Sequence, residues 1–99
     1  MTKVIKNAKR NNLRIPPQSI ESEQAVLGSI MLRKDAMHEV EDMVSSESFY
    51  VEKHKKIFQA MLDLFSKNEP IDMLSLSTKL QEQKLLDNVG GSVYLAEII

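Results

Sequence analysis

The sequence predicts an all-α fold, a small globular bundle of five or six short helices. Apolar residues recur at three- and four-residue spacing along most of the chain, which is the period of a helix buried on one face. No proline stands between Pro17 and Pro70, so nothing in that span has to interrupt consecutive helices. Hydrophobic residues make up 42% of the chain and charged residues 27%, values typical of folded globular domains rather than disordered chains.

Length and cysteine content exclude several classes of protein. The 99 residues are enough for one domain and too few for two. The chain has no cysteine, which excludes disulfides, thiol catalysis and cysteine-ligated zinc or iron–sulfur centres. No apolar run approaches the ~20 residues that cross a bilayer, and no apolar stretch follows the basic N-terminus as in a signal peptide. We therefore expect a cytoplasmic protein without a membrane partner.

Charge divides the chain into a basic arm and an acidic remainder. Residues 1–14 carry a charge of +5 and no acid, whereas residues 15–99 hold 8 basic and 14 acidic side chains, a charge of −6. The arm is predicted to be flexible; it suits a contact with DNA or another chain, or else is a solubilising tail or a foreign remnant. The acidic remainder suits a basic protein better than a phosphate backbone. Ile15-Pro16-Pro17 predicts an extended entry into the first helix.

The first helix is predicted over Ile20–Leu32. Ser19 is a suitable N-cap, because its hydroxyl can accept a hydrogen bond from a free backbone N–H. Glu21 and Glu23 fall in the first turn, where the helix dipole favours negative charge. Gly28 lowers the helix propensity by about 1 kcal/mol, which close approach of a neighbouring helix would compensate. The predicted inward stripe consists of Ile20, Leu27, Ile30 and Met31, with Gln24 between them.

Two further helices follow before the next proline. Asp35 is predicted to cap the second helix, which the serine-rich residues 45–48 interrupt before a turn at Phe49-Tyr50. The third helix is predicted over residues 52–67, and Asn68 and Pro70 end it. The second helix is predicted to turn Met37, Val40, Met43 and Val44 inward, and the third Ile57, Phe58, Met61, Leu62, Leu64 and Phe65.

The last part of the chain is predicted to form two more helices. Asp72 caps a helix that ends near Gln83, although residues 71–76 could also alternate as a strand. Gly90-Gly91 predicts a turn with positive φ, after which Ser92 caps a last helix. That helix brings two isoleucines to the end of the sequence, and their expected exposure suggests a chain that continues in a longer parent protein.

The residues themselves predict little chemistry. The sequence has neither a GxxxxGK[ST] nor a GxGxxG motif to bind nucleotide phosphates, and no HxxxH or HExxH to bind metal. His38 and His54 fall on different predicted helices; His38 is predicted to be solvated and His54 to be a core-edge histidine bonded to a backbone carbonyl. The acids at residues 39–42 indicate a solvated face, and no aromatic residue is interleaved with basic ones for nucleic-acid stacking. We therefore expect no catalytic, metal or cofactor site.

Several sequence segments resemble the N-terminal domain of the bacterial replicative DNA helicase, the DnaB family. The segments occur in the family's order and at its spacing, and together they cover residues 15–99. The arm at residues 1–14 has no counterpart. The matching segments are IPPQSIESEQAVLGS at residues 15–29, Phe49-Tyr50 with His54, Ile57 and Phe58, Pro70-Ile71-Asp72, and residues 86–97 from Leu86-Asp87 to Ala96-Glu97.

The resemblance implies an all-helical, non-catalytic domain that assembles with itself and recruits primase. In the family such domains form dimers and a collar on a hexameric ring, and the collar binds the helicase-binding domain of primase. A helical hairpin, a linker and a RecA-like ATPase domain follow in the family, and none of them is among these 99 residues. ATP, magnesium and most DNA contacts would belong to those parts. Alternatives are a nucleic-acid-binding module that uses the basic arm, a stand-alone helical regulator or, more remotely, a small enzyme.

For the primase contact we expect exposed residues near the last helix and the start of the first. Tyr94 offers the large amphipathic ring that is favoured at interaction hot spots. Glu21 and Asp87 offer charge that a basic partner could match. The alternatives are that Tyr94 anchors the last helix in the core and that Glu21 serves only the helix dipole.

Overall fold

The computed structural model describes residues 19–33 and 35–99, and over these ranges the fold is all-α, as predicted. The arm at residues 1–14 and the extended entry at residues 15–17 lie outside the described residues. The strand alternative for residues 71–76 is wrong, because most of that segment is helical. The elements are α1 (Ile20–Leu32), α2 (Ala36–Met43), a 3₁₀ helix (Ser46–Ser48), α3 (Glu52–Ser66), α4 (Met73–Glu82) and α5 (Gly91–Glu97).

Only one of the four predicted N-cap side chains makes a capping hydrogen bond. Asp72 caps α4, as predicted: its carboxylate accepts from the Ser75 backbone N–H at 2.8 Å, and the Ser75 hydroxyl accepts from the Asp72 N–H at 3.1 Å. Ser19 and Asp35 occupy N-cap positions of α1 and α2, but neither side chain makes a capping bond. Their backbones do not take the extended conformation usual at a side-chain cap, since ψ is 61° at Ser19 and −8° at Asp35.

The start of the last helix is also corrected by the structure. We expected Ser92 to cap α5, yet the helix begins at Gly91 and its N-cap is Gly90. Gly90 has φ of 106° and Gly91 has φ of 75°, so the predicted turn of positive φ is confirmed and runs directly into the helix. At the end of α3, Asn68 has φ of 58°, which confirms the predicted left-handed stop.

One core joins all five α-helices. α3 packs against α1, α4 and the 3₁₀ helix, while α1 also contacts α2 and α4 also contacts α5. An ion pair 3.1 Å long from Lys79 of α4 to Asp63 of α3 adds to the α3–α4 contact. The buried apolar residues are Leu27, Ile30, Ala36, Met37, Phe49, Ile57, Phe58, Ala60, Met61, Leu64, Leu76, Leu80, Val89, Tyr94, Leu95 and Ile98.

Three apolar residues lie differently from the prediction. Met43 is 54% exposed although we placed it inward, because it is the last residue of α2 and lies at the edge of the core. Ile20, the first residue of α1, is 48% exposed for the same reason. Ile98 is buried, whereas we expected both terminal isoleucines to be exposed; Ile99 alone is.

Gly28 allows α1 and the end of α5 to come close together, as its position in the helix predicted. The glycine is buried, and a Cβ added to it would overlap the carbonyl oxygen of Ile98. That oxygen belongs to the backbone and cannot rotate away as a side chain would. The contact brings the residue that follows α5 against the backbone of α1. None of the described helices is long and apolar enough to cross a membrane.

Candidate functional site

A buried carboxylate–imidazole pair lies where α1 meets the start of α3. The Oε1 atom of Glu23 is 2.7 Å from Nδ1 of His54, and both side chains are fully inaccessible to solvent. Charged groups are rarely buried unless they are paired and hydrogen-bonded, because water no longer solvates them. The two residues therefore form a paired polar contact between α1 and α3 within a mainly apolar core.

Glu23 also binds the backbone at the N-terminus of α3. Its Oε2 accepts a hydrogen bond from the Tyr50 N–H at 2.8 Å, and its Oε1 accepts one from the Val51 N–H at 3.3 Å. Val51 is the N-cap residue of α3 and has no side chain that could cap the helix. A carboxylate from α1 thus supplies the negative charge that a helix N-terminus favours. Glu23 acts on a different helix from the one whose dipole we expected it to serve.

Tyr94 extends this contact to α5. Its hydroxyl lies 2.5 Å from Nε2 of His54 and accepts a hydrogen bond 3.0 Å long from the side-chain amide of Gln24 on α1. The His54 and Tyr94 rings are nearly parallel, with 16° between their planes. Glu23, Gln24, His54 and Tyr94 are called the polar junction below. It joins α1, α3 and α5 through side chains alone.

A cation covers one edge of the polar junction. The ammonium of Lys53 lies 3.7 Å from the centroid of the Tyr94 ring, within the range of a cation–π contact. Phe49 packs edge-on against His54, with 78° between the ring planes, and contacts Phe58 deeper in the core. The junction is thus closed by aromatic rings on the core side and carries positive charge near its outer end.

The structure places one of the three predicted interaction residues in the core and leaves the other two exposed. Tyr94 is only 9% exposed, so our expectation that it is exposed is wrong: its hydroxyl is bonded within the junction and its ring anchors α5. Glu21 is exposed on the first turn of α1, one turn before Gln24. Asp87 is exposed in the turn before α5, where its carbonyl accepts from the Gly90 N–H. No described contact joins Asp87 to the other two residues.

The sequence analysis named the junction residues but missed their contacts, which were signalled by acid and imidazole groups on apolar stripes. Glu23 lies four residues before Leu27, and His54 lies three and four residues before Ile57 and Phe58. His54 is fully buried instead of lying at the core edge as predicted, and its partners are the Glu23 carboxylate and a phenol instead of a backbone carbonyl. Two complementary polar groups on the inward faces of two helices were the available signal for a buried pair.

One ion pair and one helix cap shift the pKa values of three described residues. Hydrogen bonding and charge from Lys79, together with the charge of Lys67, lower the pKa of Asp63, and Asp63 in turn raises the pKa of Lys79. Hydrogen bonds from Ser75 lower the pKa of Asp72. These shifts accompany structural contacts. Within residues 19–33 and 35–99, no group of three or more His, Asp or Glu is arranged to hold a metal ion.

An open groove of about 560 Å³ lies between the end of α1 and the loop from α3 to α4. Its walls are mainly apolar, and the acids at its rim are Glu69 and Asp72. The Asp72 carboxylate is engaged in the capping box. The groove therefore lacks the convergent polar groups that mark a catalytic pocket. The remaining lining residues are Ile30, Met31, Leu32, Phe65, Asn68, Pro70 and Ile71.

The fold and the polar junction place this chain among small all-α domains in which buried polar side chains hold the helices together. Residues 15–99 match the family model described as DnaB-like helicase N terminal domain. The chain belongs to this family. The family resemblance seen in the sequence is thereby confirmed, together with the all-α fold.

Known relatives agree with this assignment in sequence and in fold. The chain is 42% identical over 87 residues to "Replicative DNA helicase DnaC" of Bacillus subtilis (strain 168), covering 88% of this chain and 19% of that protein. It is 42% identical over 85 residues to "Replicative DNA helicase DnaB" of Geobacillus stearothermophilus, covering 86% and 19% respectively. The crystal structure of the N-terminal domain of DnaB helicase from Mycobacterium tuberculosis matches with a TM-score of 0.82 at 36% identity, covering 86% of this chain and 62% of that one.

The chain thus spans about a fifth of the length of these two curated relatives.

Proposed function

We propose that this chain is a non-catalytic domain that assembles with itself and recruits primase to a hexameric replicative DNA helicase. The observation that carries the proposal is the match of residues 15–99 to the DnaB-like N-terminal domain, together with the name replicative DNA helicase on its relatives. The helicase would unwind duplex DNA at the replication fork in the cytoplasm. ATP, magnesium and most DNA contacts would belong to parts outside these 99 residues.

The charge and composition of the chain support a role in binding proteins. Residues 15–99 carry a charge of −6, which disfavours a direct grip on phosphate backbones and favours a basic protein partner. The sequence contains no phosphate-binding glycine motif, which agrees with nucleotide chemistry located elsewhere. We take the partner to be the helicase-binding domain of primase, and the self-association to be a dimer that builds a hexameric collar.

Titration of the chain with the helicase-binding domain of the cognate primase tests recruitment. We expect binding that weakens at least tenfold in Glu21→Lys and Asp87→Lys, because both side chains are exposed and reversal would repel a basic partner. Glu41→Lys is the matched control, since it reverses an equally exposed acid on α2. If no binding occurs even with a longer chain that dimerises, primase recruitment is rejected, whereas equal weakening in all three variants would reject the chosen contact residues.

The second candidate function is nucleic-acid binding through the basic arm, which the charge of +5 on residues 1–14 favours. DNA affinity is compared for the full chain and a variant without those residues. Arm-mediated binding would fall with added salt and disappear on deletion, since release of counterions drives such contacts. Equal affinities for the two chains would exclude the arm as a DNA-binding element.

A further inference from the structure

With Glu23 ionised and His54 neutral, the donors and acceptors of the polar junction can be arranged in only one way. The Glu23 carboxylate is an acceptor, so Nδ1 of His54 carries the ring proton and donates to it. Nε2 is then an acceptor, which requires the Tyr94 hydroxyl to donate to it. The amide of Gln24 donates to the Tyr94 oxygen. Every donor in this chain of bonds points towards Glu23.

A second proton on His54 would reverse the outer half of this chain of bonds. Nε2–H would then donate to the Tyr94 oxygen, and the hydroxyl hydrogen would have to turn away from the ring. The nearest side chain on that side is Gln24, whose amide now presents N–H to the same oxygen. Rotation of the amide by half a turn would present Oε1 instead, at almost no change in shape.

We propose that Gln24 is the reversible end of the junction, which lets buried His54 gain or lose a proton without leaving any hydrogen unpaired. Gln24 is partly exposed, so its amide has room to turn, whereas Glu23 and His54 are fully enclosed. The bonds from His54 to Glu23 are the same in both states. The junction therefore holds α5 on α1 and α3 in either charge state, and the reversal of hydrogen-bond direction ends at the Gln24 amide.

Few titratable or charged groups face the His54 ring, so few can respond to a change in its charge. The titratable groups bonded to the ring are Glu23 from α1 and Tyr94 from α5. On the same helix as His54, Lys53 places its ammonium over the Tyr94 ring, 3.7 Å from the ring centroid. Phe49 contributes an apolar ring on the core side. The described hydrogen-bond partners of the Tyr94 hydroxyl are the His54 ring and the Gln24 amide. The amide can both donate and accept a hydrogen bond.

Nitrogen NMR of the labelled full chain tests the direction of the bonds. Ring ¹⁵N signals of His54 are followed from about pH 8 to pH 5, the range in which histidine ordinarily changes charge. We expect a proton on Nδ1 and a bare Nε2 at the alkaline end, and protons on both nitrogens at the acidic end while the amides of α5 stay protected from exchange. A bare Nδ1 at the alkaline end, or a ring that stays neutral until the protein unfolds, overturns the proposal.

Two substitutions at Gln24 test its role with effects of opposite sign. Gln24→Leu removes the acceptor needed only by the charged ring, so its folding equilibrium constant should fall roughly tenfold more at pH 5 than at pH 8. Gln24→Glu supplies an acceptor, so relative to wild type it should be less destabilised at pH 5 than at pH 8. Ser22→Glu, an exposed site two residues earlier, controls for the added charge. Losses in Gln24→Leu that are equal at both pH values overturn the proposal independently of the NMR result.

Discussion

The carboxylate of Glu23 binds two elements of the fold at once, the start of α3 and the His54 ring. It accepts two backbone bonds at the start of α3 and pairs with His54, so three contacts depend on it. A buried carboxylate–imidazole pair is weak evidence of net stabilisation, because desolvation opposes the attraction. Removal of one partner is a different matter, since the other is left buried without compensation. The residue is therefore better regarded as fixing how the helices meet than as adding stability.

Replacement of Glu23 should accordingly be among the most damaging point changes. We expect Glu23→Ala to lower the free energy of unfolding by about 3–5 kcal/mol, a large part of the ~5–15 kcal/mol typical of a domain. Glu23→Gln keeps one acceptor oxygen and should lose less. Glu21→Ala is the matched control on the same turn and should change stability by no more than about 0.5 kcal/mol. Urea unfolding followed by circular dichroism measures all three, and equal effects at residues 21 and 23 would contradict the buried pair.

The partners of His54 show where residue-scale prediction from this sequence stops. Burial of the ring could be predicted, because His54 stands at helical spacing from Ile57 and Phe58. Its partners could not be ranked, because Glu23 and Tyr94 lie 31 and 40 residues away along the chain. Local patterns fix which face of a helix is buried, whereas the angle between two helices decides which side chains meet. The same limit led us to place Tyr94 on the surface.

At the scale of elements, local signals predicted the ranges of the helices better than the side chains that cap them. The range of α1 and the left-handed stop at Asn68 agree with the sequence, because both depend on residues adjacent in the chain. The start of α5 does not, because two glycines of positive φ continue directly into the helix and leave Ser92 inside it. A cap residue only permits a helix to begin; the path of the preceding turn decides whether it does.

The approach of α5 to α1 should depend on the absence of a side chain at Gly28. A methyl group there overlaps the backbone of Ile98, so we expect Gly28→Ala to destabilise the protein by about 1–3 kcal/mol despite the better helix propensity of alanine. Ser29→Ala, exposed on the next position of the same helix, should be neutral or slightly stabilising. Amide exchange in α5 distinguishes the two, and unchanged protection of α5 in Gly28→Ala would contradict the close contact.

The capping box of α4 should give a pH-dependent contribution to stability. Because bonds from Ser75 lower the pKa of Asp72 in the folded state below the ordinary value of 3.8, the folded protein favours the ionised carboxylate. Its contribution is complete above that value and is lost as the pH falls through the lower folded pKa. We expect Asp72→Ala to cost about 1 kcal/mol at neutral pH, and the difference from wild type to shrink below pH ~3.8.

Asp35→Ala is the matched control for the α4 cap. Asp35 occupies the same position before α2, yet its carboxylate makes no capping bond. Its replacement should cost only a few tenths of a kcal/mol at neutral pH. Thermal unfolding across the pH series reports both variants, and a loss at Asp72 that persists unchanged at low pH would show that the charge of the cap is irrelevant.

For the whole molecule, the distribution of charge should affect the association rate and the dissociation rate of a partner differently. A body of charge −6 attracts a basic partner from a distance, so we expect association with the helicase-binding domain of primase to slow roughly tenfold as salt rises from low to high concentration. Glu41→Lys should lower only the association rate, because it changes the field without touching the proposed contact. Glu21→Lys and Asp87→Lys should also speed dissociation, because a repulsive charge then stands inside the interface. Stopped-flow kinetics resolves the two rates; association that ignores salt would rule out steering by the acidic body, and faster dissociation in Glu41→Lys would move the contact onto α2.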